Sequence, residues 1–383
     1  GDGELFLFGG RDTATGGLLN DLWVFDIDTV LWSKVALAKR DAPTPRERAS
    51  IVWAENALYL YGGLVSKNPG DRECTASAAA TNPAELMTVM KASTDCWALQ
   101  ADHNNLGSIA RGGSLWMKLP ECPAMALVGG SLTVFQRHLY VFGGADPGTE
   151  KAVSSEMWGL NLDALVLVWQ MLSDESSGSR SVSAAGQGSS TPFSARPPEM
   201  ALHSCVALPG NYKRPPTLLV YGGINGRGAP QQTLAAFDLV KHRWTIYSRN
   251  APVQLGEPHS YGRYGCMMLP IGPSHILISG GWGLAGQISA SASASSSSGA
   301  RWGVADWAAA GSHAWLTDTC CLDLDKSQYI PCNLPAPKSS QPLLVGLPTS
   351  GRLLMLCKAA TTTATKPSYH GGAGAGQSKS RPG

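Results

Sequence analysis

The sequence predicts an all-β fold of repeated four-stranded antiparallel units that stack face to face and close as a ring. Three observations predict it. A short apolar run stops on a glycine pair five times: "ELFLFGG" at Gly9 and Gly10, "ALYLYGG" at Gly62 and Gly63, "HLYVFGG" at Gly143 and Gly144, "TLLVYGG" at Gly222 and Gly223, and "HILISGG" at Gly280 and Gly281. Each pair is followed by an aromatic residue closing a later apolar run, namely Trp32, Trp116, Trp169, Trp244 and Tyr329, at 22, 53, 25, 21 and 48 residues from the second glycine. A repeat of about 22 residues, stretched in two copies by insertions of about 25 to 30, accounts for these spacings. Third, Asp26, Asp238 and Asp323 each stand six residues before the aromatic, in "FDIDTVLW", "FDLVKHRW" and "LDLDKSQY". A short polar side chain at that place opens a tight turn between two antiparallel strands.

Each unit is expected to run as follows. Its first strand lies upstream of the doublet, as in "ASIVWAE" at 49–55 or "YGCMML" at 264–269. The second ends on the doublet, where the first glycine supplies a conformation closed to residues with a Cβ and the second permits close backbone approach. The third carries the Asp, and the fourth carries the aromatic, which fills the space between neighbouring units. A lone meander buries little, and stacking around a ring supplies the missing partners. The units fall at 4–35, 45–119, 123–172, 196–247 and 259–332, with part of a further one at 341–358. This predicts six blades in one domain over 1–358, the first and last incomplete, in a chain read as truncated. Segments 64–95, 174–195 and 283–312 read as flexible insertions and 359–383 as a disordered low-complexity tail, since Ser- and Gly-rich stretches bury too little to offset ordering.

An apolar strand, "GG", a loop, an aromatic-bearing strand and a Trp some way beyond resemble the kelch motif, found in β-propellers of the type that also forms the central domain of galactose oxidase. The resemblance covers residues 4–358, with Tyr329 standing where the motif has Trp. It implies a propeller and a tendency toward protein binding; the scaffold alone does not dictate one activity.

Composition narrows the function classes. A chain of 383 residues with 44 Gly, 25 Pro and a net charge of +2 has no basic surplus for nucleic acid or an anionic membrane surface, and no apolar run reaches the length of a membrane span. Nine cysteines without a C-x-x-C pair, several of them inside predicted strands (Cys96, Cys205, Cys266, Cys321, Cys357), read as reduced buried thiols, and Cys320, Cys321 and Cys332 lack the further ligands a metal site needs. No cofactor is expected. His203, His259, Tyr261 and Tyr264 supply the residue types of a copper oxidase, but in no matching motif. The phosphatase motifs "GDxHG" and "GNHE", the iron-ligand pattern of specifier proteins, G-x-S-x-G and the Walker glycine loop are absent.

The expectation is therefore a non-catalytic, intracellular protein-interaction module, cytoplasmic before nuclear, or else the propeller segment of a larger phosphatase or of an F-box or BTB adaptor. In an up-and-down meander, inter-blade loops and second-to-third-strand loops emerge on one rim. That rim is expected to carry Arg46, Arg48, Arg196, His203, His259, Tyr261, Arg263 and Tyr264 on the inter-blade loops and Arg11 and Arg227 on the others. Arg and Tyr dominate interface hot spots. Convergence of Arg46, Arg48, Arg196 and Arg263 on the axis would favour an acidic or phosphorylated partner segment; in kelch repeats, however, such Arg and His-Ser residues commonly fix loops.

Overall fold

The structure is a computed structural model that describes residues 3–12, 14–37, 42–68, 87–100, 115–172, 196–248, 262–284, 313–316, 318–326, 328–332, 343–347 and 352–356. It is a β-propeller. Blade one has three strands, Glu4–Arg11, Leu18–Asp26 and Leu31–Lys34. Blade two has Ser50–Ala54, Ala57–Tyr61, Cys96–Gln100 and Trp116–Leu119; blade three has Ser131–Phe135, His138–Phe142, Met157–Asn161 and Trp169–Met171. Blade four has Ser204–Leu208, Thr217–Tyr221, Leu234–Asp238 and Arg243–Ser248, and blade five Met267–Pro270, His275–Ser279, Thr319–Asp323 and Gln328–Pro331. A hairpin of Leu343–Leu347 with Arg352–Leu356 follows. The first strands of blades two to five and of this hairpin neighbour one another in chain order, which makes them the innermost strands.

The hydrophobic clusters lie between consecutive blades. One joins Val24 and Leu22 of blade one to Leu58, Leu60 and Trp116 of blade two; another joins Tyr140 and Phe142 of blade three to Leu218, Phe237 and Trp244 of blade four. The fourth-strand aromatic is the knob in each interface. Trp116 meets Phe8 at 5.5 Å, Trp169 meets Tyr61 at 6.4 Å and Trp244 meets Phe142 at 4.9 Å between ring centroids, always on the residue directly before the preceding blade's glycine doublet. These three tryptophans are 4%, 5% and 4% exposed. Tyr329 takes the same place against Tyr221.

Trp32 departs from the expected burial, at 48% exposed. Its ring touches Phe25 of its own blade, and no described blade precedes it to offer a second strand. Burial of the knob belongs to the interface, not to the motif.

All ten doublet glycines have φ between 64° and 130°. At Gly222 and Gly223 the reason is visible: a Cβ would stand 2.5 Å from the Arg263 carbonyl oxygen at the first and 2.6 Å from the Ala201 carbonyl oxygen at the second. The doublet thus threads between its own blade's entry loop and that of the next blade, and the Gly223 N–H donates to the Arg263 carbonyl at 2.7 Å.

The ends of two insertions are ordered, contrary to the expectation of flexibility over 64–95 and 283–312. Leu64–Ser66 pairs with Arg46–Glu47 and with Met90–Ala92, and burial of Leu64 and Met90 anchors the ribbon. Trp282–Leu284 pairs likewise with His313–Trp315. Residues 69–86, 285–312, 174–195 and 359–383 lie outside the described residues.

Candidate functional site

The rim expected from the meander exists as a collar of short ribbons. Each pairs a blade's entry loop with its second-to-third-strand loop: Arg46–Glu47 with Leu64–Ser66, Val128 with Ala145, which also bridges Ala152, Ala201 with Ile224, which also bridges Pro230, and Tyr264 with Trp282. Backbone bonds link the entry loops around the axis, with the Leu202 N–H donating to Gly129 O at 2.7 Å and the Gly265 N–H to Leu202 O at 2.8 Å.

The arginines of this rim divide into three kinds. Arg46 and Arg263 are fully buried, and this corrects their assignment to a ligand-facing cluster. Arg46 donates to both Asp95 carboxylate oxygens at 2.6 and 2.8 Å and to Gly62 O at 2.9 Å; Arg263 donates to Asp318 at 3.2 and 2.8 Å and to Gly280 O at 3.1 Å. Each guanidinium fork clamps the start of its own third strand onto its own glycine doublet, a geometry that suits a planar bidentate donor. Burial pushes the Asp95 carboxyl up, but Arg46, Ser93 and Trp97 more than reverse this and hold it at about 2.

A second kind stitches neighbouring blades. Arg11 of blade one donates to both Glu47 oxygens of blade two at 2.9 Å, and Arg48 of blade two pairs with Glu150 of blade three at 3.2 Å. Arg196 and Arg227 form the third kind and are exposed. His203 is buried against the Phe142 ring with its Nε2 2.9 Å from Ser131 Oγ, and burial lowers its pKa to about 4, so it is a neutral core side chain and not part of an exposed rim. Tyr264 is buried, and its hydroxyl is pushed up to about 12 by burial and by the charge of Glu150. His259 and Tyr261 lie outside the described residues.

Inside the collar lies a cavity of about 200 Å³. Ala49, Val128, Ala145, Leu202 and Ile224 give it apolar walls, and among the described residues Arg48, Glu150 and Tyr264 are its charged and phenolic groups. Three of its non-glycine wall residues have left-handed backbones, Arg48 at φ 57°, Glu150 at 54° and Leu202 at 55°. Such strain concentrates at functional positions. Desolvation raises the Glu150 carboxyl despite Arg48, and among the described residues its buried Oε2 has no hydrogen-bond partner.

Sequence reasoning missed Glu150, Asp95 and Asp318. An acid-x-Trp signal was available for one of them: the indole N–H groups of Trp23, Trp97 and Trp158 donate to Asp21, Asp95 and Glu156, two residues upstream, at 3.0, 2.8 and 2.9 Å. Nothing in "GTEK" marks Glu150, because Arg48 meets it across 102 residues. The described cysteines, Cys96, Cys122, Cys205, Cys266, Cys320, Cys321 and Cys332, are free thiols; among the described residues no group of three or more His, Cys, Asp or Glu is placed to hold a metal ion, and no helix is long and apolar enough to cross a membrane.

No protein-family model matches the chain. Curated relatives match short stretches: acyl-CoA-binding domain-containing protein 5 of Arabidopsis thaliana is 45% identical over 61 residues, protein ral2 of Schizosaccharomyces pombe 36% over 61, and human host cell factor 1 40% over 62. Each stretch is 16% of this chain and covers 9%, 10% and 3% of the respective relative, so the chain spans a small fraction of their lengths. A solved structure, that of YjhT, superposes with a TM-score of 0.51 over 87% of this chain and 82% of that chain at 14% identity. At that identity the likeness concerns the fold alone, and it agrees with the propeller read from the sheets.

Proposed function

We propose that the chain is a kelch-type propeller serving as a protein-interaction module, and that its partner docks on the rim bearing the collar and the axial cavity. The observation that carries this reading is the cavity itself, a space of about 200 Å³ assembled by entry loops from four successive blades and ringed by left-handed residues. Apolar concavities with a few placed polar groups are the usual binding sites of folded domains. The relatives named above support a module used in different settings: an acyl-CoA-binding domain-containing protein and host cell factor 1 each match this chain over no more than a tenth of their length. The partner is a protein, and the adaptor or larger-enzyme setting is the frame in which the module would work.

Placement of a photo-crosslinking residue tests the face. Exposed Arg196 and Arg227 sit on the rim, and exposed Tyr212 and Val240 sit in turns at the opposite end of the strands. Crosslinks that form at the first pair and are competed by untagged chain support the reading. Crosslinks confined to Tyr212 and Val240 overturn it.

A further inference from the structure

We propose that a pocket between blades two and three receives a primary ammonium, the end group of a lysine side chain from the partner, on the carboxylate of Glu156. This rests on the rim reading and names one group that the rim binds.

Strand register puts the same position in four blades. Ser50, Ser131, Ser204 and Met267 each stand opposite the residue that precedes their blade's glycine doublet, and Cys96, Met157, Leu234 and Thr319 flank that residue from the other side. Four residues before the first set lie Arg46, Leu127, Met200 and Arg263; directly before the second lie Asp95, Glu156, Thr233 and Asp318. Blades two and five thus hold an arginine and an acid, joined as the clamps already described. Blade four holds neither, and Met200 and Thr233 are buried in their place. Blade three has the acid without the arginine.

The groups that a guanidinium answers in blades two and five therefore stand open in blade three. Among the described residues the Glu156 carboxylate accepts the Trp158 indole N–H at 2.9 Å and forms no ion pair, and the Gly143 carbonyl, counterpart of those of Gly62 and Gly280, accepts no hydrogen bond. Both residues line a pocket with Met125, Leu127 and Ser154. Met125 has the position of Thr44, whose carbonyl takes the Arg46 Nε–H in blade two. Arg48 also lines the pocket, but its guanidinium pairs with Glu150.

Charge and size select the occupant. A carboxylate drawn partly out of water calls for a counter-charge, which a neutral donor does not bring. Leu127 stands where the arginine stem would start, and the space that remains is about 20 Å³, room for one water-sized group. A planar guanidinium is larger than that. An ammonium is water-sized and carries three donors and no acceptor, to be met by the Glu156 carboxylate and the Gly143 and Met125 carbonyls. Its aliphatic stem can lie along Met125, which is exposed at the pocket's margin.

The probe is Nα-acetyl-lysine amide, titrated into the full chain by ligand-observed NMR. It is set beside acetyl-norleucine amide, which keeps the stem and loses the charge, and acetyl-arginine amide. The lysine probe is expected to bind about tenfold more tightly than either. Glu156→Gln is expected to remove that preference, while its amide oxygen still accepts the Trp158 N–H. Leu127→Arg, which supplies the clamp residue of blades two and five, is expected to block the probe and raise the melting temperature. Equal binding of the lysine and norleucine probes, a preference that survives Glu156→Gln, undiminished binding to Leu127→Arg, or tighter binding of the arginine probe would overturn the proposal. So would no binding of the lysine probe at its solubility limit, since water would then meet the needs of Glu156. Each of these failures leaves the crosslinking result at Arg196 and Arg227 standing, so loss of the ammonium assignment and loss of the rim reading are told apart.

Discussion

Blade one and blade four carry the same sequence signals, a glycine doublet, an Asp six residues before a Trp and a run of apolar residues, yet they end in different physical states. In blade four the second strand Thr217–Tyr221 is buried along its whole length, and Trp244 is packed between Phe142 of the neighbouring blade and Phe237 of its own. In blade one the second strand Glu4–Arg11 is half-buried, Leu7 and Leu31 are exposed, and Trp32, 48% exposed, rests on Phe25 of its own blade. The residues are comparable and the neighbours are not. A propeller motif specifies a knob; whether the knob is buried depends on a seat supplied by another unit.

The comparison can be broken first at the knobs. Trp244→Ala should destabilise the chain by about 3–5 kcal/mol, the range for emptying a packed aromatic site, while Trp32→Ala should cost about 1 kcal/mol or less. Denaturant midpoints of the two variants decide it; similar losses would mean that Trp32 is seated after all.

Acid titration sharpens the same contrast, because blade four buries an ionisable group of a kind that blade one lacks among its described residues. His203 is held neutral with a pKa near 4 against an ordinary 6.5. Its neutral form is favoured in the fold, so stability is full above pH 6.5 and falls as pH drops from 6.5 to 4, by roughly 3 kcal/mol at the limit. In His203→Gln this portion of the pH dependence should vanish. Asp95, held at about 2 against 3.8, acts at lower pH: its contribution is present above pH 3.8 and lost as pH falls through 2. A stability profile of the His203→Gln variant that still falls between pH 6.5 and 4 would assign the loss elsewhere.

The glycine doublets give a smaller difference. Gly223→Ala should cost about 2–3 kcal/mol, since it combines φ of 88° with a Cβ 2.6 Å from Ala201 O, whereas Gly10→Ala, with φ of 108° and nothing within 4 Å, should cost about 1 kcal/mol from the backbone alone. Equal thermal shifts would show that close approach contributes nothing. Smallest of all, Arg196→Ala and Arg227→Ala should change stability by about 0.5 kcal/mol at most, as exposed rim residues do. If either lowers the melting temperature as much as Arg46→Ala, the division of the rim arginines into clamps and exposed groups fails.

The strands, their antiparallel order, the doublet turns and the rim were legible in the sequence because each is a local event repeated in phase: a period-two apolar run, a left-handed turn that glycine accepts, a polar residue opening a hairpin. The same repetition marked Trp116, Trp169 and Trp244 as inter-blade side chains. What it could not mark was a pairing between units. Arg46 and Arg48 are two residues apart in one loop, yet one is buried on Asp95 of its own blade and the other reaches Glu150 of the next. The left-handed turn at Arg48, with φ of 57°, and the angle between blades decide that, and neither is written in residue type. Trp32 and Trp244 are likewise one letter in one motif, separated by a seat on the preceding blade. The cavity is the extreme case: its walls come from four blades, its carboxylate from a loop with no motif, and its volume from how the blades pack about the axis, so it exists only once tertiary contact has set their spacing.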